Sequence, residues 1–354
     1  NSDDLVIAVL DNLENVIEVH TPSAEGWLRR EVPGIPRLGA VSVGRLDIFD
    51  TAPETDLIVT SETPVSAPQL LLSKDGGAPE LVKSSPAFFD ASGLVVTRHE
   101  AIAEDGTTIP YFQSGPAETD GDARVHMYGY GGFEISELPN YRSTIGKLWL
   151  ERGGTSVVAC IRGGGEFGPD WHKAGICERK RTSHDDFAAV AAHLVERGVT
   201  KPARIAAEGG SNGGILITNM LTRYPERFGA LFCTIPLIDM RRYSKLLAGA
   251  SWIAEYGDPD VPEDWAFLKE MSAYHTAIPD QNYPPIMLAT TRLDDRVHPG
   301  HARKMAAKLQ AMGYDATYYE ADSGGHSYGK DSKEQATFTT LGINFLKRGI
   351  NWES

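Results

Sequence analysis

The chain has 354 residues, enough for a large core and two domains, and a formal net charge of −14, which argues against nucleic acid or an anionic membrane surface as a partner. Its three cysteines, Cys160, Cys177 and Cys233, form no C-x-x-C pair, so neither a disulfide framework nor a zinc site is expected, and Cys160 and Cys233 read as core residues inside apolar runs. No stretch approaches the ~20 apolar residues of a membrane-spanning helix.

Residues 1 to about 90 read as β only. Short strands are expected at Leu5–Leu10, Val16–His20, Ala40–Val43, Arg45–Phe49, Asp56–Thr60 and Gln69–Leu72, separated by turn residues. About eight such strands fit two four-stranded sheets, the unit of a propeller blade, and a sandwich would produce the same pattern. Beyond about residue 95 strand and helix alternate. Val125–Gly129, Ser156–Ile161, Ala203–Glu208, Ala230–Ile235, Pro285–Thr290 and Ala316–Ala321 read as strands. Ser143–Arg152, His184–Arg197, Gly214–Arg223, His301–Met312 and Ser332–Lys347 read as helices, the second with Ser183 as N-cap and Asp186 closing a capping box. This alternation specifies an α/β fold with a mainly parallel sheet covered on both faces. The expected domains are residues 1–90, all β, and 91–354, α/β.

Gly209-Gly210-Ser211-Asn212-Gly213-Gly214 lies between an expected strand and an expected helix. Strand, G-x-S-x-G, helix is the nucleophile-elbow arrangement of the α/β-hydrolase fold, and the glycines allow a turn in which any Cβ would strike a neighbouring element. A nucleophilic serine needs a base, and the base an orienting carboxylate, in the chain order serine, acid, histidine. Asp294 follows the Pro285–Thr290 strand and is the expected acid, with Asp295 as the alternative. His326, flanked by Gly324 and Gly325, follows the last strand and is the expected base. His298 also follows Asp294, but on the acid's own loop, one strand too early; His301 opens a helix and reads as surface. The backbone N–H of Asn212 is the expected first oxyanion donor, and the loop Tyr128–Phe133 offers the second, as a backbone N–H or a tyrosine hydroxyl. Gly163–Gly168 matches G-x-G-x-x-G, with Asp185 and Asp186 about twenty residues on, but Pro169 follows at once and both aspartates open a helix. A dinucleotide site is therefore not expected, and no cofactor or metal is.

Tyr128–Phe133, Ile161–Gly168 with Trp171-His172-Lys173, Gly209–Gly214, Trp252 with Glu255-Tyr256-Gly257, and Asp294-Asp295-Arg296-Val297 together resemble the prolyl oligopeptidase (prolyl endopeptidase) family of serine peptidases, from about residue 90 to the end. The resemblance implies a catalytic α/β-hydrolase domain preceded by the last two blades of a seven-bladed β-propeller. It assigns Ser211, Asp294 and His326 to a triad, and makes Tyr130 the side-chain oxyanion donor beside the Asn212 N–H. It implies that Arg296 binds a substrate carbonyl, and that Phe133, Trp252, Tyr256, Val297 and Leu237 line a proline pocket. The expected activity is hydrolysis of short peptides after proline, with a dipeptidyl or aminoacyl peptidase or an esterase of the same superfamily as the alternative. Relatives that cut after basic residues carry acidic recognition groups, whereas the Trp252 and Asn212 pattern favours proline. Five blades of the family's propeller are absent, so the chain reads as a fragment or a shortened variant, with the remaining propeller as a partner. A cytoplasmic location is expected, with the periplasm as the alternative.

Overall fold

The computed structural model describes residues 4–47, 49 and 55–352, and they divide into two compact units, Asn1–Val96 with Leu138–Arg152, and Thr97–Glu137 with Gly153–Ser354. The first unit holds two antiparallel meanders. One is β1 (Leu5–Asp11), β2 (Glu14–Ser23) and β3 (Gly26–Glu31). The other is β4 (Ala40–Arg45), β5 (Leu57–Thr63), β6 (Ser66–Ser73) and β7 (Glu80–Ser84). Alternating residues of β2, β5 and β6, among them Ile17, Val19, Leu57, Val59 and Leu71, form its core.

Two strands here were not foreseen. β3, Gly-Trp-Leu-Arg-Arg-Glu, has no buried face, and β7, Glu-Leu-Val-Lys-Ser, is exposed along its whole length. Both are edge strands recruited by backbone pairing, which leaves no alternation to read. The expected strand Arg45–Phe49 is corrected: β4 ends at Arg45, Leu46 and Asp47 leave the ladder, and Ile48 lies outside the described residues. The segment 138–152 supplies helix α1 (Ser143–Leu148) and a 3-10 turn, Leu150–Arg152, shorter than the single helix expected. It packs within the first unit, where the Phe89 and Tyr141 rings stack at 5.2 Å.

The second unit is built on one eight-stranded sheet. Its strands are β8 (Leu94–Ile102), β9 (Thr108–Pro116), β10 (Val125–Gly129), β11 (Thr155–Ala159), β12 (Ile205–Gly210), β13 (Ala230–Thr234), β14 (Ile286–Thr291) and β15 (Ala316–Ala321). They are ordered β15-β14-β13-β12-β10-β11-β9-β8. All neighbours from β11 to β15 pair parallel, and β9 joins β11 antiparallel. The helices are α2 (Pro169–Lys173), α3 (Arg181–Glu196), α4 (Asn212–Arg223), α5 (Ile253–Tyr256), α6 (Pro262–Met271), α7 (Ala273–Thr276), α8 (Gly300–Ala311) and α9 (Ser332–Gly349).

Successive residues of a strand face opposite ways, and that decides which helix each meets. Leu231 and Cys233 of β13 join the core that α3, α4 and α8 close. Phe232 between them meets Phe338 of α9, with ring centroids 6.2 Å apart. Both faces are thus covered, as a parallel sheet requires. This is the α/β-hydrolase architecture expected, preceded by an all-β segment.

The start of α3 is corrected. The helix opens at Arg181, with Lys180 at the N-cap. Ser183 instead donates to the Arg162 carbonyl at 2.6 Å, and Asp186 accepts from the Arg162 guanidinium and backbone N–H. A capping box looks the same in sequence as two polar residues recruited by a distant arginine. Among the described residues, no helix is long and apolar enough to cross a membrane.

Candidate active site

The elbow is formed by β12 and α4 with no residue between them except Ser211, whose backbone is held at φ 57° and ψ −114°. A positive φ in a non-glycine residue is strained and persists only where the surroundings enforce it. Here the Ser211 N–H donates to the Thr234 carbonyl at 3.0 Å, and its carbonyl accepts from Gly214 and Leu237 at 2.9 and 3.1 Å. The flanking glycines make room: a Cβ at Gly210 would stand 2.4 Å from Thr234 Oγ1, and one at Gly214 2.5 Å from Pro236 Cβ.

His326 brings its Nε2 to 3.0 Å from Ser211 Oγ and its Nδ1 to 2.8 Å from Asp294 Oδ2. Asp294 Oδ1 accepts from the backbone N–H groups of Arg296 and Val297 at 2.9 and 2.8 Å, so both carboxylate oxygens are engaged. The alternative acid, Asp295, sits elsewhere: its Oδ1 accepts from the backbone N–H of His326 at 3.2 Å. His298 turns to its own chain and accepts the Gly300 N–H at 2.9 Å. The surface reading of His301 is corrected. Its ring is buried, Nδ1 accepts the Asp239 N–H at 3.0 Å, and burial pushes its pKa down to about 4. A histidine at a helix start reads as exposed unless the neighbouring loop is known to cover it.

Two donors stand beside Ser211. The Asn212 N–H opens α4, in the first turn where helix N–H groups have no intrahelical partner. Tyr130 lines the same cavity as Ser211, and burial raises the pKa of its hydroxyl above the ordinary tyrosine value, so it stays a donor at neutral pH.

A cavity of about 140 Å³ adjoins the serine, lined by Tyr130, Phe133, Ile135, Ser211, Asn212, Leu237, Trp252, Tyr256, Arg296 and Val297. The five pocket residues expected from the resemblance are among them, and so is Arg296. Ile135 was missed, because nothing in the local pattern distinguishes it from a loop apolar residue. Phe133 meets Tyr256 edge to face at 5.8 Å, and Tyr256 meets Tyr243 likewise at 5.6 Å. The Tyr256 hydroxyl donates to Asn212 Oδ1 at 2.7 Å, and Asn212 Nδ2 donates to the Tyr130 carbonyl at 2.6 Å. Gly132 admits that amide: a Cβ there would stand 2.6 Å from Asn212 Nδ2.

The Gly163–Gly168 stretch holds buried side chains rather than an open phosphate cradle. Arg162 reaches Asp186 at 2.5 Å and Asp105 at 2.6 Å, and the Glu166 carboxyl accepts the Glu137 N–H at 2.8 Å. Burial pushes Glu166 up to about 7. Among the described residues, no group of three or more His, Cys, Asp or Glu side chains could hold a metal ion.

A parallel-sheet hydrolase fold with serine, histidine and carboxylate in hydrogen-bonded sequence at the strand ends defines the class. The profile of the prolyl oligopeptidase family matches residues 140–351, and the chain belongs to that family. It is 38% identical over 336 residues to an uncharacterised peptidase of Sinorhizobium fredii, covering 94% of this chain and 46% of that one. It is 36% identical over 242 residues to a prolyl endopeptidase of Elizabethkingia miricola, covering 68% of this chain and 34% of that one. The solved structure of a post-proline cleaving enzyme from Rickettsia typhi superposes with a TM-score of 0.87 at 29% identity, over 100% of this chain and 51% of that one. The chain spans about half the length of such relatives.

Proposed function

We propose that this chain carries the catalytic portion of a serine endopeptidase that hydrolyses short peptides on the carboxyl side of proline. The observation that carries the reading is the hydrogen-bonded series Ser211–His326–Asp294 opening onto an aromatic cavity at the serine.

Ser211 Oγ attacks the scissile carbonyl while His326 Nε2 takes its proton. Asp294 holds the Nδ1–H and stabilises the imidazolium. The Asn212 N–H and the Tyr130 hydroxyl stabilise the oxyanion, and its collapse expels the amine with the proton from His326. Water then hydrolyses the acyl-enzyme by the same steps in reverse order. A cavity of ~150 Å³ holds one benzene-sized ring, so a cavity of about 140 Å³ suits a pyrrolidine, stacked on Trp252 or Phe133. The Glu255 carboxylate, which accepts the N–H of the cavity residue Phe133, is also committed to Lys180 and His172. It is therefore not free to pair with a basic substrate side chain, and proline is favoured over arginine. Arg296 binds a substrate carbonyl, a role its exposure at the cavity wall supports. The two β-meanders of the first unit are read as the last two blades of a propeller whose remainder is the chain's partner.

The test is hydrolysis of an N-blocked Gly-Pro chromogenic amide beside blocked-Arg and free Gly-Pro counterparts. Cleavage of the blocked proline substrate, lost in Ser211→Ala, is expected. Preference for the free amine would replace the endopeptidase by an aminopeptidase, and turnover surviving in Ser211→Ala would end the triad reading.

A further inference from the structure

Lys180 is 1% exposed, and a lysine is almost never so deeply buried unless it is paired. Its Nζ donates to the Gly131 carbonyl at 2.7 Å and to Glu255 Oε1 at 3.0 Å. The same Oε1 accepts the backbone N–H of Phe133 at 3.0 Å, and Oε2 accepts from His172 Nε2 at 2.8 Å. Lys180 and Glu255 thus join the carbonyl at one end of the Gly131–Phe133 turn to the N–H at the other.

That turn would not keep its shape unaided. Gly131, Phe133 and Glu134 all have positive φ, at 63°, 57° and 56°, and for the two non-glycine residues that backbone is strained and persists only where the surroundings enforce it. Tyr130 precedes the turn and Phe133 belongs to it, so the proposed oxyanion hydroxyl and one wall of the cavity ride on the same strained backbone. Lys180 also lies 5.4 Å from the centroid of the Tyr256 ring, whose hydroxyl is tied through Asn212 to the Tyr130 carbonyl. Burial draws the Lys180 pKa down while the Glu255 charge opposes that shift, so each charge is tolerated through the other.

We propose that the Lys180–Glu255 pair is a positioning clamp: it holds the Gly131–Phe133 turn so that the Tyr130 hydroxyl stands ready where the oxyanion forms. The clamp rests on the reading of Tyr130 given above, and it acts through Tyr130 without touching substrate.

A double-mutant cycle tests it on the full chain with the blocked Gly-Pro amide, each variant being checked for native circular dichroism. Tyr130→Phe should lower kcat by about 100-fold, the scale of losing one oxyanion donor. Glu255→Gln should lower kcat by about 10- to 100-fold, as small misplacements at a reacting centre do, with a smaller rise in KM through Phe133. The double variant should be no slower than Tyr130→Phe alone, to within about threefold, because a clamp has nothing to position once the hydroxyl is gone. Losses that multiply in the double variant, or wild-type kcat in folded Glu255→Gln, overturn the clamp. Wild-type kcat in Tyr130→Phe overturns the oxyanion reading itself, and the clamp with it. Should Glu255→Gln fail to fold, His172→Gln at its less buried position enters the same cycle. A loss of about threefold that vanishes in the Tyr130→Phe background supports the clamp, and a loss that persists there overturns it.

Discussion

Two glycine-rich stretches leave the sheet on either side of β10, one after β12 and one after β11, and they come to different ends. After β12 the chain turns through one strained residue, Ser211, directly into the twelve-residue α4, which Gly214 lets settle against Pro236. The helix is long enough to be held by its own buried face, so the turn can stay strained and present a side chain. After β11 the chain wanders from Cys160 to Gly168 before the five-residue α2 begins at Pro169. With no long helix to anchor it, this stretch is held by buried polar contacts, Arg162 to Asp186 and Glu166 to the Glu137 N–H. A glycine string after a parallel strand is thus an instruction to turn; the element that follows decides whether the turn exposes a reactive group or becomes scaffold.

The contrast should separate activity from stability. Ser211→Ala should lower kcat by about a million-fold with an unchanged unfolding midpoint, read by the amide assay beside a thermal melt. Arg162→Met should do the opposite. Stranding the buried Asp186 carboxylate should cost about 3–5 kcal/mol of stability, measured by urea unfolding, while kcat per folded molecule stays near wild type. A large kcat loss there would mean that the second stretch belongs to the site.

The Glu166 prediction is a pH effect. Its carboxyl is held at about 7 in the folded protein against an ordinary 4.5, so the native state binds the extra proton between those values. The stabilisation is full below 4.5 and is lost as the pH rises through 7. Glu166→Gln should abolish that fall, gaining on the wild type by up to about 3 kcal/mol between roughly pH 5 and pH 8, in paired urea titrations. Equal pH profiles for the two proteins would remove Glu166 as the cause. Smallest is Trp252→Ala, which should raise KM for the blocked proline amide about tenfold and leave kcat within about threefold, since it removes ring contact and touches no reacting atom. An unchanged KM would take Trp252 out of the proline subsite.

Much of the second unit was legible because its signals are local. Val125–Gly129 and the half-buried edge strand Ala316–Ala321 match the observed strands residue for residue, since each is a short run of strand-forming residues bounded by turn residues. Ser211, Asp294 and His326 were legible from order and placement, and the structure brings those three together. Helix starts were read less well: α3 opens three residues before the expected His184, because Ser183 and Asp186 answer to Arg162 and not to the helix. Asp294 was the expected acid with Asp295 as its alternative, since adjacent carboxylates on one loop differ only in where that loop points them.

Sequence alone determined the alternation of strand and helix around the elbow, the elbow itself and the family, because apolar periodicity, glycine at a tight turn and the succession of motifs are properties of chain segments. Only the tertiary structure decided that Asp295 meets the His326 backbone N–H, that His301 is buried, that Ile135 joins the cavity, and that Lys180 and Glu255 grip the turn carrying Tyr130. Each of these depends on the direction of a side chain across a gap of many residues. Burial, desolvation and hydrogen-bond geometry set that direction, and they exist only once the distant segments have met.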